Sequence, residues 1–154
     1  MTQTVDIAAI RAAIVTTLQG IPEIKKVNQY DFKGEARNNA PFANVQRGPV
    51  TGHTVSLYSE EADLELGKYD HLITWQIRVY MTAFRHPADA QAADDVMAMR
   101  LLEAFNGNRR LDPNGPGVVD VSRVPVIEPF IQDDTHSQYW VCEATLITFS
   151  TNTL

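Results

Sequence analysis

Residues 72–84 read LITWQIRVYMTAF, and the order of residue types in this stretch decides the fold class. It holds no Gly or Pro and is rich in β-branched and aromatic residues, the composition of a central strand. Ile73, Trp75, Ile77, Val79, Met81 and Ala83 alternate with Thr74, Gln76, Arg78, Tyr80 and Thr82, a period of two. One face is therefore apolar and the other amphipathic, which suits an antiparallel sheet covered on one side only.

A second long strand is predicted over residues 138–149, QYWVCEATLITF. Trp140, Cys142, Ala144 and Leu146 share one face, while Glu143 and Thr145 face the other way beside Val141 and Ile147. This strand is expected to pair antiparallel with 72–84, and the last residues to fray.

Working outward, Thr4 or Asp6 can cap a first helix whose Ile7, Ile10, Ile14 and Leu18 fall on one stripe. Gly20 in a left-handed conformation and Pro22 are expected to end it. Ile24 to Phe32 reads as a short irregular strand, and GEARNNAP (34–41) as a loop. Phe42–Arg47 and His53–Tyr58 read as two strands joined by Gly48-Pro49-Val50-Thr51-Gly52, a hairpin-length connection. Ser59 to Asp70, SEEADLELGKYD, is acidic. With Glu60, Glu61, Asp63, Glu65 and Asp70 against Lys68 alone it reads as a solvated loop, or as an interaction arm, since Leu64, Leu66 and Tyr69 are awkward in a purely solvated one.

His86-Pro87 opens a second helix, and Asn106-Gly107 ends it. Ala88, Ala92, Met99, Leu102 and Phe105 form a stripe, with Asp95 projecting into it and Val96 and Leu101 widening it. Such a helix is either an irregular core helix or one that packs on the sheet and also meets another subunit through Asp95, Val96 and Leu101. NRRLDPNGPG (108–117) reads as a loop, and its Arg109 and Arg110 as solvated charges in preference to a phosphate site, since no Gly-rich strand–loop–helix context surrounds them. Val118 to Ile127 is β-like, with Pro125 placing that end at an edge or bulge, and Glu128 to Ser137 turns the chain. The order helix, strands, long strand, helix, strands predicts an α+β fold. Its two layers are an antiparallel or mixed sheet of four to six strands and two helices on one face.

The 154 residues fit one domain, 1–154, with an ordinary 44% hydrophobic and 21% charged composition. Apolar runs fall short of the roughly 18 residues that span a bilayer, and the start lacks a signal pattern, so no membrane role and a cytoplasmic site of synthesis are expected. A net charge of −6 argues against tight binding of nucleic-acid phosphates.

Chemistry-bearing motifs are sparse. His53, His71, His86 and His136 stand far apart, and neither paired-Cys zinc spacing nor H-E-x-x-H occurs. Asp133-Asp134-Thr135-His136 has metal-ligand residue types, but Asp-rich turns before strands serve backbone needs as well. Walker, dinucleotide-glycine and G-x-S-x-G patterns are absent. Cys142 reads as a small buried hydrophobe. No catalytic, cofactor or metal residue is nominated, and no enzyme is expected.

The chain resembles the tail-terminator (tail-completion, minor tail U-like) proteins of tailed bacteriophages. The resemblance is carried by VDIAAIRAAIVTTLQGIP, FANVQRGP, HLITWQIRVYMTAF, PADAQAADDVMAMRLLEAF and SQYWVCEATLITFS. It spans nearly the whole chain as a layout of elements, without an invariant signature. It implies a homo-oligomeric ring, usually a hexamer, at the head-proximal end of the tail in the virion, assembled in the host cytoplasm. The ring caps the tail tube, stops its polymerisation and offers the surface for head attachment. Implied partners are the tail tube protein, a neck or head-completion protein and the end of the tape-measure protein, with DNA passing through the lumen. A neck or tail-tube subunit, and a small α+β ligand-binding domain or enzyme, are the alternatives.

Overall fold

The computed structural model describes residues 7–29, 41–54, 68–81, 87–106, 121–134 and 137–153. Within them the chain is an α+β fold, two helices on one face of a five-stranded, mixed, open sheet. The elements are α1 (Ile7–Gln19), β1 (Lys26–Asn28), β2 (Phe42–Thr54), β3 (Lys68–Tyr80), α2 (Pro87–Asn106), β4 (Val121–Asp134) and β5 (Ser137–Thr153). The strands lie in the order β1-β2-β3-β5-β4, with β1 parallel to β2 and the other pairings antiparallel.

β3 and β5 form the spine, paired without a break from Lys68↔Thr153 to Tyr80↔Val141. Ile73, Trp75, Ile77 and Val79 point to the helices and are fully buried, as are Cys142, Ala144 and Leu146 across the ladder. The Trp75 indole Nε1–H donates to Thr148 Oγ1 at 2.8 Å, and the Thr148 hydroxyl donates on to Ile73 O at 3.4 Å. The largest buried side chain thus keeps its one polar atom satisfied inside the core. The Arg11 guanidinium of α1 lies 5.6 Å from the Trp75 ring centroid, joining helix to sheet through a cation–π contact.

α1 buries Ile10, Ile14, Val15 and Leu18, the stripe that its spacing predicts. Gly20 N–H donates to Thr16 O and Thr17 O and closes the last turn. It does so without the positive φ expected of it. Ile21 and Ile24 then fold back into the core.

The strand boundaries differ from expectation in four places, one of them β5, which stays paired with β3 as far as Thr153 where the last residues were expected to fray. Residues 42–54 form one strand, not a hairpin. The register runs Arg47↔Trp75 and then Val50↔Ile73, so Gly48 and Pro49 together oppose Thr74 in a bulge. A bulge tolerates Pro49, which lacks a ladder donor, and absorbs turn-forming residues without reversing the chain. β3 begins at Lys68, so Lys68, Tyr69 and Asp70 belong to the ladder and not to the acidic loop. The charges of Lys68 and Asp70 concealed a backbone that pairs with β5 throughout and, from Tyr69 onward, with β2 as well. Finally, β4 continues through Glu128 to Asp134, where a turn was expected, and closes a hairpin at Asp134↔Ser137. Val124 and Pro125 oppose Leu146 in a second bulge, as Pro125 suggests. The Asn106 side chain holds that bulge, its Oδ1 accepting from Val124 N–H at 2.8 Å and its Nδ2 donating to Val124 O at 3.5 Å.

A Cβ added at Gly48 would lie 2.7 Å from the Thr74 carbonyl oxygen, and backbone cannot swing aside as a flexible side chain can. Gly48→Ala should therefore lower stability by about 1–3 kcal/mol, seen in urea unfolding as a reduced midpoint at an unchanged slope.

Candidate functional site

The sheet face away from the helices and the helix α2 carry the polar and unpacked side chains from which a site can be built. On the sheet face away from the helices, Arg78 Nε donates to Glu143 Oε2 at 2.9 Å across the spine. Partial burial works against the Arg78 charge, and Glu143 outweighs it, raising the guanidinium pKa. Beside this pair the rings of Phe42 and Tyr80 stack at 4.8 Å, and Asn28 Nδ2 donates to Asn44 Oδ1 at 2.9 Å. The second face is amphipathic, as the alternation in β3 and β5 predicts, but Phe42, Tyr80, Val141, Asn28 and Asn44 are buried on it, so it is not the open face expected of a sheet covered on one side only.

On α2, Ala90, Asp94, Met97, Leu101 and Phe105 step by three or four residues and are all buried. The expected stripe of Ala88, Ala92, Met99, Leu102 and Phe105 is a different face. Phe105 belongs to the core, whereas Ala88, Ala92, Met99 and Leu102 are exposed. The helix carries apolar residues almost all round, and contact with β4, β5 and α1 selects the buried side. Val96, Met99 and Leu102 remain 42%, 56% and 40% exposed, three of the five large apolar side chains that the described residues present to solvent. Acidic residues flank them: Asp89, Asp95 and Glu103 are exposed on the same helix. Arg100 is held by Glu23 at 2.9 Å and by Glu103 at 3.6 Å, tying α2 to the turn after α1. The Glu23 carboxyl sits below its ordinary pKa, first through its own backbone N–H and then through Arg100.

Of the residues nominated for partner binding, Asp95 and Val96 lie on this exposed face. Leu101 does not. It is fully buried in the subunit core, because it shares the helix side of Met97 and Phe105. Glu60, Glu61, Asp63, Leu64, Glu65 and Leu66 lie outside the described residues.

The sequence reading singled out Asp95 as the acid inside the stripe, but the acid that enters the core is Asp94, 7% exposed. Burial pushes its carboxyl pKa up. Cys142 and Trp140, close by on β5, offset part of that cost, while Asp95 adds to it. Neither Asp94 Oδ1 nor the Trp140 indole nitrogen completes a hydrogen bond. Cys142 is fully buried, and burial followed by the Asp94 charge pushes its thiol pKa well above the ordinary range. The pair is chemically quiet, since a nucleophile needs the thiolate. Asp94 was legible only as one of two adjacent acids; its spacing from Ala90, Met97 and Leu101 was the available signal.

Among the described residues no three His, Cys, Asp or Glu side chains gather into a metal-ligand group, and no helix is long and apolar enough to cross a membrane. The side chains of the four histidines and of Asp133 and Asp134 lie outside the described residues.

No family model matches the chain. Among curated proteins it is similar to an L-lactate oxidase of Lacticaseibacillus rhamnosus (strain LMS2-1), 29% identical over 133 residues. The match takes in 79% of this chain, and the chain spans 35% of the length of that protein.

Two outcomes follow from the Asp94–Cys142 contact. A thiol reagent added to native protein should leave Cys142 unmodified until denaturant exposes it; rapid modification in buffer would contradict its burial. Asp94 has a folded pKa above its unfolded one, so its contribution is fully present below the unfolded pKa and is lost as pH rises through the folded pKa. Asp94→Asn should remove this dependence. Its stability advantage over wild type should grow from acid toward neutral pH, reaching about 1–3 kcal/mol, the range for a poorly satisfied buried polar group. Urea midpoints of both proteins across that pH range provide the check.

Proposed function

We propose that this chain is a structural subunit of phage morphogenesis of the tail-terminator kind. In this role it forms a ring that caps the tail tube, stops its growth and presents the surface to which a head attaches. The observation that supports the proposal is the outward face of α2, where Val96, Met99 and Leu102 stand in solvent within one helix. Exposing large apolar side chains forgoes roughly 25 cal/mol per Å² that burial would return, and clustered exposure of this kind marks surfaces that meet partners. The layout of capped helix, long strand, second helix and final strand supports the same role by resemblance. A net charge of −6 suits a lumen that DNA passes without sticking. The ring is expected to bind tube and neck proteins and to include no cofactor.

The similarity to an L-lactate oxidase favours a second reading, in which the chain takes part in oxidation of L-lactate. Turnover of L-lactate by the purified chain would establish that reading.

Tails made without the subunit should grow to irregular, excessive lengths and fail to accept heads. Restoring it should return one length, with a single ring at the head-proximal end in a reconstructed particle. Normal length and head joining without it would defeat the proposal, as would its presence along the whole tube.

A further inference from the structure

We infer that the outward face of α2 docks on the β1–β2 end of a second copy of this chain, head to tail. The inference rests on the ring-subunit reading and names the two surfaces that would meet. α2 packs over β4 and β5, whereas α1 packs over β1 and β2, so the two surfaces lie toward opposite ends of the sheet.

Their charges are complementary. The α2 face presents Ala92, Val96, Met99 and Leu102 among Asp89, Asp95 and Glu103, the last 3.6 Å from Arg100, so three acids against one base leave it negative. The opposite end presents exposed Lys25 and Arg47, with Val50 39% exposed beyond Arg47. Arg47 and Val50 lie opposite Trp75 and Ile73, so they project to the helix side of the sheet. The Gly48–Pro49 bulge lies between them.

A contact between two different surfaces is heterologous, so it propagates until it closes into a ring or runs on as a filament.

The test uses two charge-reversed proteins. One carries Asp95→Lys with Glu103→Lys, the other Lys25→Glu with Arg47→Glu. Sedimentation of wild type, of each variant and of their equimolar mixture reads the association. Each variant alone should associate at least about tenfold more weakly than wild type, and the mixture should recover association. In the mixture every contact pairs either two native surfaces or two reversed ones. Failure of the mixture to recover, or undiminished association of either variant, overturns the docking.

A second measurement is independent of how well the reversed variants fold. Met99→Cys and Val50→Cys in separate proteins should form an intermolecular disulfide on mixing and mild oxidation. Met99→Cys alone should not, and its doing so would indicate an α2-to-α2 contact and overturn the inference. A wild type that stays monomeric with no cross-link also overturns it. The tail-length experiment then judges the ring reading separately.

Discussion

The continuous antiparallel ladder between β3 and β5 is the constraint on which the rest depends. Side chains alternate across a strand, so one register decides the facing of every residue in both strands. Trp75 opposite Leu146 and Val79 opposite Cys142 place the apolar set on one side. Arg78 opposite Glu143 places an ion pair on the other. A slip of one residue would carry Trp75 to the polar face and separate its indole from Thr148. The helices have somewhere to pack because this register presents one unbroken apolar surface.

α2 shows the opposite condition, in which local pattern underdetermines the structure. It buries an acid, Asp94, with an unpartnered oxygen, and leaves Val96, Met99 and Leu102 in water. Rotating the helix to hide those three would draw exposed Asp95 toward the sheet and lift Met97 and Leu101 out of it. Both arrangements carry a cost, and packing of Leu101 and Phe105 against β4 and β5 favours the one observed. A subunit that breaks the rule of apolar inside and polar outside on one helix concentrates its conflict at the surface proposed for assembly.

Glycine and proline play a related part in the sheet. Gly48-Pro49 and Pro125 read locally as chain reversals or strand ends, yet both lie in bulges within long strands. The partner strands are continuous on either side of each bulge, and pairing resumed beyond it outweighs the local preference for a turn. Gly48 is needed for the closeness of the Thr74 carbonyl, and Asn106 fills the bonding capacity that the β4 bulge frees. The bulges lie in β2 and β4, while the β3–β5 spine pairs without one.

The amino-acid sequence by itself determined the α+β class, the antiparallel pairing of the two long strands, the core face of each and the buried face of α1. These are short-period signals in which each residue's neighbours carry the needed information. It also identified Val96 and Asp95 as surface candidates and Cys142 as a core thiol. Tertiary structure decided the rest: β2 as one bulged strand, β3 starting at Lys68, β4 running to Asp134, and Leu101 and Asp94 inside with Met99 and Leu102 outside. Those choices depend on which strand lies alongside and which layer lies beneath. The hydrogen-bond ladder and the burial of α2 involve partners many residues away, and no local pattern encodes them.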